Sequence, residues 1–279
     1  MNDQPAYAKI RYAKRKVEEE TIAHAILDQG LVAHVGFIAD GRPMVIPMAY
    51  ARDGNRLYIH GASKTRVVAR TGGLPMCLTV THLDGMVVAR SGFNHSVNYR
   101  SCVVHGTARW VEDEAEFDRA LQFVTEHLLP GRYAEIRPPR PQEEKATGVM
   151  ALDIEVMTVK VRSGPPVDEP EDLALDLWSG VLPITTCLGR GVPDGHTPAS
   201  KAEPPSLGAA RRKFSANCAF PCAWATSAWR SRVSAEIRIS ARDSSPACSR
   251  SRVRARSGTS FITAPLPVRV ARATGVGSG

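Results

Sequence analysis

The ten residues LYIHGASKTR, at positions 57–66, place a hydroxyl group and two cations directly after a strand-like run. The run ends at Gly61, and Ser63, Lys64 and Arg66 follow at the start of a segment that predicts one or two helical turns. A helix N-terminus offers free N–H groups, and a hydroxyl with two cations complements a phosphomonoester. The pattern therefore indicates a phosphate site, although a capped surface helix would have the same spacing.

A second polar cluster stands where a long strand is expected to begin, in NHSVNYRS at positions 94–101. Asn98, Arg100 and Ser101 bring hydrogen-bonding groups to a stretch in which alternation buries every other side chain. The cluster is typical of a ligand-facing strand or, alternatively, of a polar hairpin turn.

Two further positions could serve a ligand. Pro47 lies within MVIPMAY, cannot donate a ladder hydrogen bond, and marks a bulge or an edge that could either free backbone groups or merely bend the strand. His60 shares a strand face with Tyr58 and could donate a proton near neutral pH, although a half-buried strand histidine is the alternative.

The surrounding elements are mostly strands. Asp40-Gly41 and Asp53-Gly54 are hairpin signals between three β-rich runs, and Asp84-Gly85 predicts a further hairpin turn. Helices are expected at 17–30, 112–129 and 169–180. The chain is therefore expected to be mainly β with flanking helices, closed into a barrel that leaves no exposed edges, with a two-sheet sandwich as the competing architecture.

Composition limits the class of protein. Hydrophobic residues make up 43% of the 279 residues, no apolar run is long enough to cross a bilayer, and the charged N-terminus has no signal-peptide core. The six cysteines are too scattered for a disulfide framework, and Cys218 and Cys222 lack a second ligand pair for zinc. We expect a soluble, cytoplasmic protein without a metal site.

The basic charge is confined to the C-terminal part of the sequence. Residues 201–279 contain 14 Lys and Arg against 3 Asp and Glu, whereas residues 1–200 contain 22 against 25. We therefore divide the chain into a folded domain at 1–200 and an Arg/Ser/Ala-rich tail at 201–279. The tail is interpreted as disordered, as a small domain, or as out-of-frame translation, and removal of 210–279 is expected to leave stability unchanged.

Taken together, the two D-G turns, LYIHGASKTR and NHSVNYRSCVVHGTARW resemble the FMN-binding split β-barrels of the pyridoxamine 5′-phosphate oxidase-like family. The similarity is greatest to the flavin-nucleotide-binding branch that includes the nitroimidazole-resistance proteins, and it covers about residues 10–200.

The resemblance implies a homodimer with FMN in a groove between subunits. Ser63, Lys64 and Arg66 would bind the FMN phosphate. The strand backbone around the following residues would face the isoalloxazine edge: Val45, Ile46 and Pro47. The polar cluster would lie near the flavin, from the same or the second subunit: Asn98, Arg100 and Ser101.

The sequence is compatible with three functions. The first is an FMN-dependent oxidoreductase that passes electrons from NAD(P)H to a small acceptor such as a nitro compound or a quinone, with His60 as the candidate proton donor. The second is a flavin- or haem-binding carrier or sensor without turnover. The third is nucleic-acid binding through the Arg-rich tail, which is disfavoured because the domain itself is net acidic.

Overall fold

The structure is a computed structural model, and it describes residues 5–11, 13–63 and 73–215. Within these residues the strands are β1 (Lys16–Val17), β2 (Ala33–Ala39), β3 (Arg42–Met48), β4 (Tyr50–Asp53), β5 (Arg56–Ala62), β6 (Leu74–Val88), β7 (Ser96–Trp110), β8 (Thr147–Asp153), β9 (Val156–Arg162) and β10 (Gly180–Pro183). The helices are α1 (Glu20–Gln29), α2 (Glu114–Leu128), α3 (Pro141–Ala146) and α4 (Pro205–Ser215). Short 3₁₀ turns cover Ala6–Ala8, Ala13–Arg15, Tyr133–Glu135 and Pro170–Ala174.

All of these strands belong to one antiparallel sheet, whose main path runs β3-β2-β6-β7-β8-β5-β4. The two end strands, β3 and β4, are separated in sequence only by Ala49, and β3 also lies against β5. The sheet therefore closes on itself, as the barrel prediction requires, and does not divide into the two sheets of a sandwich. Strand β7 pairs with β9 along Tyr99 to His105 and with β8 from Ala108 to Trp110, which splits the barrel wall.

Two of the three predicted D-G turns are confirmed. Asp40 and Gly41 both have positive φ, at 52° and 71°, which suits the tight turn between β2 and β3. Gly54 has φ 57° between β4 and β5.

The turn predicted at Asp84-Gly85 is wrong, because β6 continues through these residues to Val88 with only a register shift between Leu83 and Gly85. A Cβ on Gly85 would come within 2.8 Å of Val181 of β10, so the glycine allows close approach of that strand rather than reversing the chain.

Two apolar clusters lie on the two sides of the barrel wall. The interior is filled by alternate strand residues, among them Val35, Leu57 and Leu78, and α1 adds Ile26 and Leu27. On the outside, α2 covers β4, β5 and β8 through the following buried residues: Ala51, Tyr58, Ala120, Val124, Val149 and Ala151. Helix α2 begins after Asp113, whose carboxylate accepts the Glu116 N–H at 2.8 Å.

The helix expected at 169–180 is replaced by the short 3₁₀ turn and then β10. The large apolar residues Leu173, Leu175 and Leu177 recur at every second position, which is a period of two rather than of 3.6. All three leucines are exposed, as is Trp178. The segment therefore leaves an apolar stretch on the surface of the chain.

Helix α4 lies inside the segment that composition assigns to the tail. Ala210 and Phe214 are buried, and the Ser206 hydroxyl donates to Glu135 at 2.6 Å. The Lys213 ammonium group donates to the backbone oxygen of His127 at the end of α2. The packed structure therefore extends to α4, and the rest of the predicted tail, 216–279, lies outside the described residues.

Candidate functional site

The predicted phosphate site lies where β5 ends. Ser63 follows the last residue of this strand, and its backbone N–H donates to the oxygen of Ala146 at 2.8 Å. Lys64 and Arg66 fall in 64–72, outside the described residues. The structure therefore places one of the three predicted phosphate-binding residues, at the junction of β5 with the end of α3.

The residues predicted to face the flavin ring lie on β3, close to this junction. Val45 and Pro47 point outward, with Val45 65% exposed, whereas Ile46 packs against the barrel interior. Because β3 continues through Ala49 into β4, and Tyr50 of β4 pairs with Ile59 of β5, the C-terminal end of β3 runs towards the end of β5. The ring-facing and phosphate-facing predictions therefore fall in one region.

The predicted cluster on β7 is divided between the two faces of the sheet. Asn98 and Arg100 are buried and already have protein partners: the Asn98 amide donates to the Gly164 oxygen at 3.0 Å, and the Arg100 guanidinium contacts Asp84 at 2.9 Å. Gln29 accepts a further Arg100 hydrogen bond at 3.1 Å. These groups hold the barrel together, and a role near a flavin stays a prediction for both.

Ser101 pairs across the sheet with Thr81 and belongs to the outward face. Within one chain Ser101 is far from Ser63. Strand β8 runs beside β5 up to Ala62, but it pairs with β7 only from Ala108 to Trp110, and Ser101 lies towards the other end of β7. A single chain therefore does not bring the β7 cluster to the phosphate end.

His60 borders a cavity of about 420 Å³ between β5 and α2, here called the α2 cavity. Its wall contains the following side chains: Leu121, Val124, Thr125, Tyr133, Ile136 and Arg137. The same wall includes Thr147, the residue after the Ala146 that holds Ser63. The α2 cavity and the phosphate end are therefore neighbours.

The His60 ring is neutral and incompletely paired. Burial lowers the pKa of His60 below its usual value, so the imidazole carries no charge near pH 7. Its Nδ1 atom is buried and has no hydrogen-bond partner in the part of the chain that the structure describes. The predicted shared face with Tyr58 is confirmed, since Tyr58 also lies beneath α2, where its hydroxyl donates to Glu116 at 3.0 Å.

His34 is a candidate that the sequence reasoning missed. It points outward from β2, is exposed, and pairs across the sheet with Pro47 on one side and Thr79 on the other. Alternation in LVAHVGFIA places His34 on the outward face, and the two-residue turn at Asp40-Gly41 sets the register that puts it opposite Pro47. His34 also borders a second cavity of about 360 Å³, the C-terminal cavity, whose walls include His82, Leu188 and Phe214.

A larger cavity of about 680 Å³ opens near Glu18 and Glu155, and its described walls contain none of the predicted site residues. Among the described residues, no three His, Cys, Asp or Glu side chains come together as metal ligands. None of the described helices has both the length and the apolar character that crossing a bilayer requires.

With this geometry in place, comparison with known proteins identifies the family. The model for the family described as pyridoxamine 5′-phosphate oxidase matches residues 19–161, slightly more than half of the chain. The chain therefore belongs to that family, and the expected split barrel of the flavin-binding type is confirmed as its fold. A search of curated proteins found no significant match.

Two solved structures are similar over most of the described chain. The flavocytochrome Anf3 from Azotobacter vinelandii is 35% identical, with a TM-score of 0.69 over 74% of this chain and 96% of that one. A FAD and haem binding protein from Mycobacterium smegmatis is 34% identical, with a TM-score of 0.67 over 71% of this chain and 97% of that one.

Proposed function

We propose that this protein binds a flavin nucleotide through its FMN portion and uses it to pass electrons from NAD(P)H to a small acceptor, such as a nitro compound or a quinone. The observation that carries the proposal is the meeting of β3, with its outward Val45 and Pro47, and the end of β5 at Ser63. The flavocytochrome and the FAD and haem binding protein support it, because both share this fold at over 30% identity.

The chain's own residues would bind and orient the flavin. The Ser63 hydroxyl, with the charges of Lys64 and Arg66, would bind the phosphate, and the β3 backbone would lie along the ring edge. The flavin would supply the hydride and electron chemistry, while the protein fixes its position and surroundings. His60, which is neutral, would hold a proton near the phosphate end rather than carry charge there.

We also propose that the site is completed by a second copy of this chain. The outward face of β2, β3 and β6 carries small or uncharged side chains, among them His34, Gly36, Thr79 and Thr81, and no described helix packs over it as α2 packs over β5. Since Ser101 of one chain is remote from its own Ser63, a partner subunit could bring its β7 to the flavin. A cytoplasmic location stays a prediction.

An absorbance spectrum with a stopped-flow experiment tests the proposal. We expect a flavin spectrum in the purified protein and anaerobic bleaching of the flavin on mixing with NADH or NADPH. Ser63→Ala is expected to weaken flavin binding, while Ser91→Ala, in the β6–β7 loop, should leave it unchanged. Protein that takes up no added flavin would exclude the function; a flavin that binds but is not reduced would favour a carrier or sensor.

The C-terminal cavity favours haem binding as a second candidate function. His34 has no hydrogen-bond partner among the described residues. It faces a cavity whose walls combine aliphatic side chains with the Arg100–Asp84 ion pair, and an unpaired imidazole at such a cavity suits a ligand to haem iron. His82 is less suited, because its Nε2 lies 3.0 Å from the Ile26 oxygen. The walls at 184–188 and Phe214 lie beyond the family match, which ends at 161, whereas the two flavin-and-haem relatives cover more of the chain.

Haem would supply an iron for electron transfer, and His34 would hold it. Titration with haemin is expected to give a Soret band that His34→Ala loses, whereas His196→Ala, at an exposed position, should keep the band. Equal bands in the wild type and in His34→Ala would remove His34 as the ligand.

A further inference from the structure

The segment between β9 and β10, residues 163–178, is here called the strap and exposes several large apolar side chains. Leu173 and Trp178 are 60% and 69% exposed, and Leu175 and Leu177 are about half exposed. The strap contains five Asp and Glu residues and no Lys, Arg or His. Because exposed apolar side chains bordered by polar ones mark an interaction site, the strap favours a partner that is both apolar and basic.

The strap is fixed to the barrel through Asp168, whose side chain is only 2% exposed. Its carboxylate accepts hydrogen bonds from the Arg90 backbone N–H and the Arg90 guanidinium, both at 2.8 Å, and the Ser179 hydroxyl donates to it at 2.9 Å. The Asp168 charge is therefore matched within the chain. Four other carboxylates of the strap have no ion pair in the part of the chain that the structure describes: Glu169, Glu171, Asp172 and Asp176.

A complementary surface lies near the start of the chain, in residues 5–16, here called the basic arm. These residues include five Lys and Arg and no Asp or Glu. Lys9, Arg11 and Lys14 are exposed and, among the described residues, have no ion pair. Tyr7 adds an aromatic residue that is 64% exposed. The basic arm therefore has the cations and the apolar surface that the strap favours in a partner.

Both surfaces are held in place within a single copy. Ala8 of the basic arm is buried, and the Tyr7 ring lies 4.9 Å from the His105 ring of β7. Surfaces that are already positioned lose little freedom on association. Within one copy, however, the exposed cations of the basic arm form no ion pair with the strap carboxylates that the structure describes. The two surfaces are therefore available to a second molecule.

Two copies of the chain can pair both surfaces at once, because each copy supplies one basic arm and one strap. The three exposed cations of the arm match three exposed carboxylates of the strap, Glu169, Glu171 and Asp176. We propose that the strap of each copy binds the basic arm of a second copy, with Tyr7 lying among the strap leucines and Trp178. This contact goes beyond the proposed flavin function and does not depend on bound flavin.

Cross-linking of the full chain tests the contact directly. An equal mixture of isotopically labelled and unlabelled protein is treated with a carbodiimide, which joins an ammonium group to a carboxylate that it touches. We expect linked peptides in which a lysine of the basic arm is joined to a carboxylate of the strap and in which one peptide is labelled and the other is not. Links that never combine the two isotopes would place the arm on the strap of its own chain and overturn the inference.

Charge reversal on each surface gives a second test. Glu171→Lys with Asp176→Lys should weaken self-association by roughly tenfold or more, because repulsion replaces attraction. Lys9→Glu with Arg11→Glu should have the same effect for the same reason. An equal mixture of the two double variants should regain the wild-type affinity, since both contacts between unlike copies are then attractive.

The matched control is Glu112→Lys with Asp118→Lys, which makes the same change in charge at two exposed positions outside the strap and should keep the wild-type affinity. Affinity is read from the emission of Trp178 against protein concentration, because a covered tryptophan emits at a shorter wavelength. Trp178→Phe subtracts the emission of the other tryptophans. In the wild type, raising NaCl from about 0.05 M to about 0.5 M should also weaken the association.

Three results would contradict the contact between copies. The first is a mixture of the two double variants that associates no better than either variant alone. The second is a Trp178 covered at every concentration without a mixed-isotope link, which would assign the strap to a segment of the same chain. The third is a Trp178 uncovered at every concentration, which would leave the strap to a foreign basic protein. Flavin content affects none of these readouts, so the absorbance spectrum tests the flavin function separately.

Discussion

His127, at the end of α2, shows how burial and a neighbouring cation can keep a histidine neutral. Its Nε2 lies 2.5 Å from the Gly30 oxygen, and its ring is 4.9 Å from the ring of Tyr50. Burial, with the nearby Lys213 charge, lowers the pKa of His127 from 6.5 to about 4. The folded protein therefore keeps this ring neutral at pH values at which an unfolded chain would protonate it.

The lowered pKa predicts acid sensitivity. Because the unfolded state binds a proton that the folded state refuses, the stability due to neutral His127 is complete above about pH 6.5 and is lost as pH falls towards 4. The loss from this group between pH 7 and pH 5 is expected to be about 2 kcal/mol. Urea unfolding of His127→Gln, which can still donate to Gly30, should show a shallower pH dependence; an identical slope in both proteins would contradict the assignment.

For individual residues, the sequence predicted the direction of a side chain more accurately than the groups that the side chain contacts. Alternation placed His60 and Tyr58 on one face, and both lie beneath α2. The partners of Asn98 and Arg100 depend on a strand end at Gly164 and on a bulge at Asp84. Contacts of that kind depend on strand register, which no local pattern in the sequence specifies.

Among the elements, β7 has the most demanding geometry, because it changes partner from β9 to β8 around Gly106. A Cβ at Gly106 would overlap the backbone oxygen of Asp153 and approach Leu152 at 3.0 Å. Only glycine allows the β8–β9 connection to pass so close to β7.

Replacement of this glycine should therefore be costly. Gly106→Ala is expected to destabilise the protein by about 2–3 kcal/mol or to prevent folding, since the clash is with backbone that cannot rotate away. Gly92→Ala is the control, because a Cβ there would have no neighbour within 4 Å. Thermal unfolding followed by circular dichroism measures both; equal melting temperatures for the two variants would refute the close-packing account.

The predicted elements were most accurate where turns are local. The two-residue turns at Asp40-Gly41 and at the β4–β5 connection require positive φ, and the sequence supplies glycine at both. Asp84-Gly85 carries the same letters, but there the glycine accommodates β10, a strand almost a hundred residues later. The sequence therefore predicted the barrel class and several strands but not the long continuous β6.

For the whole molecule, α4 changes the expected consequence of truncation. Phe214 is 3% exposed, and a fully buried side chain of this size contributes about 1.5–3 kcal/mol. A chain ending at residue 200 should therefore melt several degrees below one ending at 215. Differential scanning calorimetry of the two truncated chains measures this, and equal melting temperatures would mean that α4 adds no stability.

Because α4 packs against the domain, the expectation that truncation leaves stability unchanged applies to residues 216–279 rather than to 210–279. Removal of 216–279 is still expected to leave the melting temperature unchanged. A large loss on that truncation would give these residues a stabilising role.

The contacts of His127 join three distant parts of the chain. Its ring nitrogen meets Gly30 directly after α1, and its backbone oxygen meets Lys213 of α4. During synthesis on the ribosome, this set of contacts can be complete only after residue 213 has emerged. An arrested nascent chain that stops short of α4 should therefore be cut by protease near the end of α2 more readily than the released protein.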